Sequence, residues 1–233
     1  MKKNLLILVL PLYLASNVYA TNSHVELSYV QTKGSSETTT FSAKASTKYT
    51  IDTQSWIDGK LDGIYGESNN ITSSNKYDID AKYNRNTNEV LYYFIGLNYK
   101  VDKLSTSYDY RIAIGPGLGY KVLKDEIKEL DLKAGINYAK EELKNGNTDN
   151  YAAGTTEVEY KHKINANMNF TQSIKYDTSF DDADNYIVNS KTGLAVKMSD
   201  TLSLGVSYDY DYTNQAANDK SDTKFLTSLI IDF

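Results

Sequence analysis

No cysteine occurs in this sequence, which excludes a disulfide framework, a thiolate metal site, a cysteine nucleophile and a lipid-modified cysteine anchor. Proline appears only twice in 233 residues, and histidine only as His24 and His162. Beyond residue 20 there is no long apolar run, so no membrane-spanning helix is encoded there. The formal charge of -5 is spread over intermixed acidic and basic residues, and the basic stripe that nucleic acid requires is missing. Leucine-rich stretches are also scarce, although a soluble core of this length draws heavily on Leu, Ile and Val.

What the chain has in abundance is tyrosine, 21 residues of it. A tyrosine ring can sit at a lipid headgroup with one end apolar and the other wet, which suits an interfacial belt. The first twenty residues differ from the rest. Lys2 and Lys3 form a positive end, Leu5 to Leu14 is largely apolar, and Val18-Tyr19-Ala20 offers a cleavage pattern. Residues 1–20 are therefore expected to be a secretory signal peptide, leaving 21–233 as the mature domain.

Period-two alternation runs through most of that domain, with almost no helical periodicity. Leu91, Tyr93, Ile95, Leu97, Tyr99 and Val101 share one face, as do Leu202, Leu204, Val206, Tyr208, Tyr210 and Tyr212. Twelve such sets can be marked, each roughly nine or more residues long, the length a tilted strand needs to cross hydrocarbon. The expected fold is all-β: a closed, antiparallel, up-and-down transmembrane β-barrel of about 12 strands. An even count lets both chain ends lie on the periplasmic side. Connections at that end are short, such as Asp52-Thr53 and Ser199-Asp200, whereas Glu142 to Ala153, Asp177 to Asp184 and Thr213 to Ser221 are expected to be longer external loops.

The opposite parity is charged. Asp58, Lys60 and Asp62 lie on one strand, and Lys76, Asp78, Asp80 and Lys82 on the next. Asp109, Arg111, Lys133, Glu157, Glu159, Lys161, Asp209 and Asp211 continue the pattern. In a barrel these residues line the lumen, where each charge needs water or an opposite partner. Gly115-Pro116-Gly117-Leu118-Gly119 is not a phosphate loop, because no helix follows it. Its glycines fall on the lumen parity and leave room for bulky neighbours, and Pro116 predicts a bulge or a locally opened pairing.

Catalytic and metal sites find little support. His24 is at a barrel mouth, His162 is on the lipid parity near the periplasmic end, and no serine is placed to use either as base. Asp78 with Asp80 could form an acid-base pair, but so many lumen charges make that signal nonspecific. Asp181, Asp182 and Asp184 are acidic without the glycine and bidentate glutamate of a calcium loop. No catalytic residue, metal or cofactor is expected.

The chain resembles the DUF481 family of YdiY-like, salt-induced outer-membrane proteins. The resemblance rests on Leu27 to Thr39, on Tyr108-Asp109-Tyr110-Arg111 leading into Gly117-Leu118-Gly119-Tyr120, and on Leu202 through Tyr208-Asp209-Tyr210 and a loop with Asp219 to Phe225–Phe233. Ser35 and Ser36 stand where the family commonly has Asn-Thr. The likeness implies an outer-membrane location and a barrel fold, with no catalytic residue or ligand to carry over. Phe225, Leu229, Ile231 and Phe233 also look like the C-terminal signature read by the outer-membrane barrel assembly machinery. Expected partners are therefore the lipid bilayer with its lipopolysaccharide and that machinery, and no nucleic acid.

Twelve strands fall between a side-chain-filled barrel and an aqueous channel. The leading expectation is a narrow polar pore for passive passage of ions or small solutes, with weak selectivity. The alternatives are a closed barrel serving envelope structure or osmotic adaptation, and a barrel enzyme acting on envelope lipid or polysaccharide. An axial path favours the pore, and interlocking ion pairs favour the closed barrel.

Overall fold

The computed structural model describes residues 22–32, 37–104, 108–216 and 220–233. Residues 1–20, most of the first far-rim turn, Thr106 and Asp219 lie outside that set. Twelve strands form one closed antiparallel barrel. They are β1 (Asn22–Thr32), β2 (Thr38–Thr50), β3 (Ser55–Ser68), β4 (Ile71–Asn86), β5 (Leu91–Asp102) and β6 (Tyr108–Lys124). The second half is β7 (Lys128–Leu143), β8 (Thr148–Asn165), β9 (Met168–Ser179), β10 (Tyr186–Lys197), β11 (Leu202–Thr213) and β12 (Ser221–Asp232). Each strand pairs with its sequence neighbours, and β1 closes the ring on β12.

The alternation places apolar side chains outside and charged ones inside. Tyr93, Ile95, Leu97 and Tyr99 of β5, Ile112, Ile114, Leu118 and Tyr120 of β6, and Leu204, Val206 and Tyr208 of β11 are all exposed. A soluble protein does not expose apolar surface on this scale, so the outer wall needs lipid. Closure meets most of the second demand of lipid, that backbone N–H and C=O groups pair within the protein, with the β1–β12 ladder beyond Ser28↔Ser228 as the exception. No described helix is long and apolar enough to cross a membrane, and the crossing is made by strands.

Both ends of the described chain meet at one rim, where the Ser23 N–H donates to the Phe233 carbonyl and the Phe233 N–H returns the bond. Turns at this terminal rim are short and fixed by side chains. The Asp52 carboxylate accepts from the Gln54 and Ser55 N–H groups, and Asn88 and Asp125 serve the next two turns in the same way. At the far rim one expectation fails. Glu142 to Ala153 is not a loop, because β7 and β8 run on through it and pair from Ala139↔Tyr151 to Glu142↔Thr148. The turn proper is 144–147, with Gly146 at a φ of +80°. The Asn/Asp content that signals a loop here belongs to a strand pair whose inner side is buried at Ala139, Glu141, Tyr151 and Ala153.

Pro116 pairs with Ile95 of β5. The β6–β7 ladder skips residues 115 and 116, although its register is the same at Ile114↔Tyr138 and Gly117↔Gly135. The missing N–H of proline thus opens the pairing locally without a bulge. Bulges occur elsewhere in β6, between Tyr108 and Tyr110 and between Lys121 and Leu123.

Candidate functional site

The lumen is crossed at mid-height by ion pairs between strands that do not touch in the sheet. Lys60 of β3 reaches Glu159 of β8 at 2.6 Å, and Lys82 of β4 reaches Glu157 of β8 at 2.7 Å. Lys133 of β7 joins both glutamates, at 3.5 Å to Glu157 and 2.6 Å to Glu159. Asp80 lies 3.5 Å from Lys82 and 4.0 Å from Lys175. Lys175 also lies 3.7 Å from Asp177, so eight strand positions form one bridge across the barrel, four cations against four carboxylates. Burial costs such charges much of their hydration, so the pairs fix geometry more than they add stability.

Above the bridge, toward the far rim, a cavity of about 270 Å³ opens. Asp62, Asp78, Asp102, Asp209 and Asp211 line it together with Lys44, Lys76, Lys100, Lys191 and Lys224. Its walls are tied by Lys44–Asp209 at 2.6 Å, Lys76–Asp222 at 3.1 Å, Lys100–Asp78 at 3.3 Å and Lys224–Asp211 at 3.2 Å. Glu26 and Lys191 pair at 3.2 Å beside it. On the β6–β9 side Arg111, only 3% exposed, lies 3.4 Å from Glu141 and 3.8 Å from Asp177. That cluster borders a second pocket of about 30 Å³.

Below the bridge aromatic rings enter the lumen. Trp56 of β3 lies 5.2 Å from Tyr92 of β5, and Tyr92 6.5 Å from Phe94, centroid to centroid. Tyr92 donates to Asp131 at 2.6 Å, and Trp56 Nε1 donates to Asp58 at 2.9 Å. The ammonium groups of Lys48 and Lys121 lie 4.9 Å and 5.0 Å from the Trp56 ring centroid, in cation–π range. The rings fit because β6 offers glycine there. A Cβ at Gly117 would stand 2.2 Å from the Phe94 ring, and one at Gly119 2.0 Å from that of Tyr92.

The fifteen lumen candidates do not all share one place. Lys60, Asp80, Lys82, Lys133, Glu157 and Glu159 meet in the bridge, while Asp62, Lys76, Asp78, Asp209 and Asp211 surround the cavity. Asp58 lies with the aromatic cluster, and Lys161 is exposed near the terminal rim, 3.6 Å from Glu129. Asp109 corrects the expectation. The bulge between Tyr108 and Tyr110 shifts the parity, so Tyr108 turns into the cavity wall and Asp109 stands at the far rim bound to Lys144. Missed by the sequence reading were Glu26, Lys100, Glu141, Asp177 and Asp222, all on the lumen parity, and the inward aromatics Trp56, Tyr92 and Phe94. An aromatic at a lumen position beside a glycine-rich strand was the available signal.

The histidines do structural work. His24 Nδ1 lies 2.8 Å from Asp232, joining β1 to β12 at the terminal rim, and His162 packs against Tyr160 at 6.1 Å between ring centroids. Asp182 accepts from the Asp184 N–H and from Gln215, which closes a far-rim turn. Among the described residues, no group of three His, Asp or Glu side chains converges to hold a metal ion.

Residues 25–233 match the family described as "Protein of unknown function, DUF481", and the chain belongs to that family. No curated protein matches it in sequence. Among solved structures it is similar to the NanC porin, with a TM-score of 0.53 and 10% identity over 90% of this chain and 97% of the porin. It is similar also to an outer-membrane channel of Pseudomonas putida F1, with a TM-score of 0.55 and 10% identity over 92% of this chain and 95% of that one. At such identities the likeness concerns the fold. The fold is that of outer-membrane porins and channels, and with its apolar exterior the chain is an outer-membrane β-barrel.

Proposed function

We propose that this DUF481 barrel is a narrow polar pore that passes ions or small solutes across the outer membrane, with its termini in the periplasm. The observation that carries the reading is the cavity of about 270 Å³ lined by charged groups of both signs between the mid-lumen bridge and the far rim. A barrel serving only as a wall fills its interior with side chains, as eight-stranded barrels do. Passage occurs by exchange of bridge partners: an entering anion replaces a glutamate on Lys60 or Lys82, and a cation replaces a lysine on Glu157.

With Asp177, 3.7 Å from Lys175, the bridge sets four cations against four carboxylates, so selectivity is weak. Neutralising one carboxylate there changes the potential felt by an ion about 5 Å away by roughly 0.8 kcal/mol in water-like surroundings, or roughly fourfold in local occupancy. The test is single-channel conductance of the refolded protein in planar bilayers. Reproducible small steps are expected, and Glu157→Gln should raise anion preference up to severalfold while Lys82→Gln lowers it. A folded, inserted barrel that gives no steps at any voltage would overturn the pore.

The second reading is a closed envelope barrel, favoured by the same bridge together with the Trp56, Tyr92 and Phe94 cluster beneath it. Under that reading, Glu157→Gln and Lys82→Gln alter stability and leave the membrane silent.

A further inference from the structure

The seam that closes the barrel is only partly zipped. β1 and β12 pair from His24↔Asp232 to Ser28↔Ser228, and the mutual bonds of Ser23 and Phe233 add one further rung. Continuing that register would match Tyr29 with Thr227 and Val30 with Leu226, but neither pair forms. The other edges of both strands are held to their ends: β1 pairs with β2 as far as Thr32↔Thr38, and β12 with β11 as far as Tyr212↔Ser221. The outer half of the seam is thus two well-supported strand edges facing each other without a ladder.

Height decides what this gap meets. A strand tilted by about 40° climbs roughly 2.5 Å per residue, so six rungs rise about 15 Å through an apolar band about 25 Å tall. With the termini in the periplasm, as proposed above, and the Ser23–Phe233 rung taken as the inner edge of that band, the gap opens within the outer leaflet. Tyr29 and Phe225 are 60% and 65% exposed on its lipid side. Inside, Lys44 and Asp209 of the cavity wall form their ion pair across the seam, from β2 to β11, and Lys224 of β12 faces the same cavity. Val30 and the buried Leu226 occupy the lumen parity between cavity and gap.

We propose that the outer halves of β1 and β12 form a lateral portal through which an outer-leaflet amphiphile enters the cavity. Its polar head lies among the Lys44, Asp209 and Lys224 charges, and its acyl chain stays in lipid between Tyr29 and Phe225. Polar atoms of the head satisfy strand-edge N–H and C=O groups that hydrocarbon cannot. The portal goes beyond an axial pore and does not require one, because the route ends above the mid-lumen bridge.

The absence of native cysteine makes the test clean. Tyr29→Cys with Thr227→Cys probes the gap, and Leu27→Cys with Leu229→Cys, a registered pair, is the control. Direct oxidation should join the control pair efficiently and the gap pair poorly, whereas a longer bismaleimide should join both. Ser173 in the cavity wall is then replaced by photoreactive p-benzoylphenylalanine, in the full barrel in phosphatidylcholine vesicles. Lipid adducts are expected, and bridging the gap pair should reduce them roughly tenfold, equivalent to about 1.4 kcal/mol. Equal oxidation of the two pairs, absence of lipid adducts, or adducts unchanged after bridging would each overturn the portal. Channel steps that persist in the bridged protein would separate this outcome from that of the axial pore.

Discussion

The hydrogen atom that serves as the side chain of Gly119 lets the Tyr92 ring pass close against β6 and reach Asp131. Adding one methyl there forces a shift of ring or strand, because the ring edge would be 2.0 Å away. Gly119→Ala should therefore lower stability by about 1–3 kcal/mol in urea unfolding of the barrel, the usual cost of overpacking. In the Gly119→Ala/Tyr92→Leu double variant, the alanine should cost much less than it does alone. A cost unchanged by the smaller partner would place the strain elsewhere. The turn carboxylates make a second prediction at this scale. Backbone N–H groups of Gln54 and Ser55 hold Asp52 below the usual aspartate pKa, and those of Lys128 and Ile127 do the same for Asp125. A lowered folded pKa contributes stability that is complete above the unfolded value of about 3.9 and is lost as pH falls through the folded one. Asp52→Asn with Asp125→Asn should thus reduce the acid-induced drop in urea midpoint below about pH 4. An identical drop in the double variant would show that these turns do not contribute.

Among the elements, alternation decided nearly everything that lipid decides. A strand in a bilayer has one face that must be apolar and one that cannot be, so Tyr93, Ile95 and Leu97 announced β5 and its orientation together. What alternation cannot report is a change of parity within a strand. The bulge at Tyr108–Tyr110 is such a change, and it moved Asp109 out of the lumen and Tyr108 into it. Nor can polarity separate a loop from a strand pair whose outward side is wet, which is why Glu142 to Ala153 was legible only as a loop although Glu141, Tyr151 and Ala153 are buried on the inner side. The tight β3–β4 connection can be tested directly. Asn69 and Asn70 both have positive φ, 49° and 64°, as in the two-residue hairpin turn that favours Asn-Gly. Asn70→Gly should raise the unfolding midpoint slightly, and Asn70→Ala should cost about 1–2 kcal/mol. The reverse order in urea titrations would contradict the left-handed geometry.

For the molecule as a whole, the sequence showed that the lumen is charged but not which charges meet. Lys60 and Glu159 lie 99 positions apart and on strands that never pair, and only closure of the twelve-membered ring sets them facing each other. The same closure explains where the barrel should yield first. Every ladder but one joins strands that follow one another in the sequence, and only β1 and β12 must find each other from opposite ends of the domain. Their registered ladder is the shortest in the ring, from His24↔Asp232 to Ser28↔Ser228, and the Ser23–Phe233 rung extends it at the terminal rim. Removing Phe233 deletes that rung and, with it, the last residue of the C-terminal stretch expected to act as an assembly signal. The truncated barrel should unfold faster in urea even after refolding in detergent, where no assembly machinery acts. Amide exchange should appear first in β1 and β12, ahead of β6 to β8, whose ladders are long on both sides. If β1 and β12 instead exchanged as slowly as β7, opening would start elsewhere, and Phe233 would matter for assembly alone.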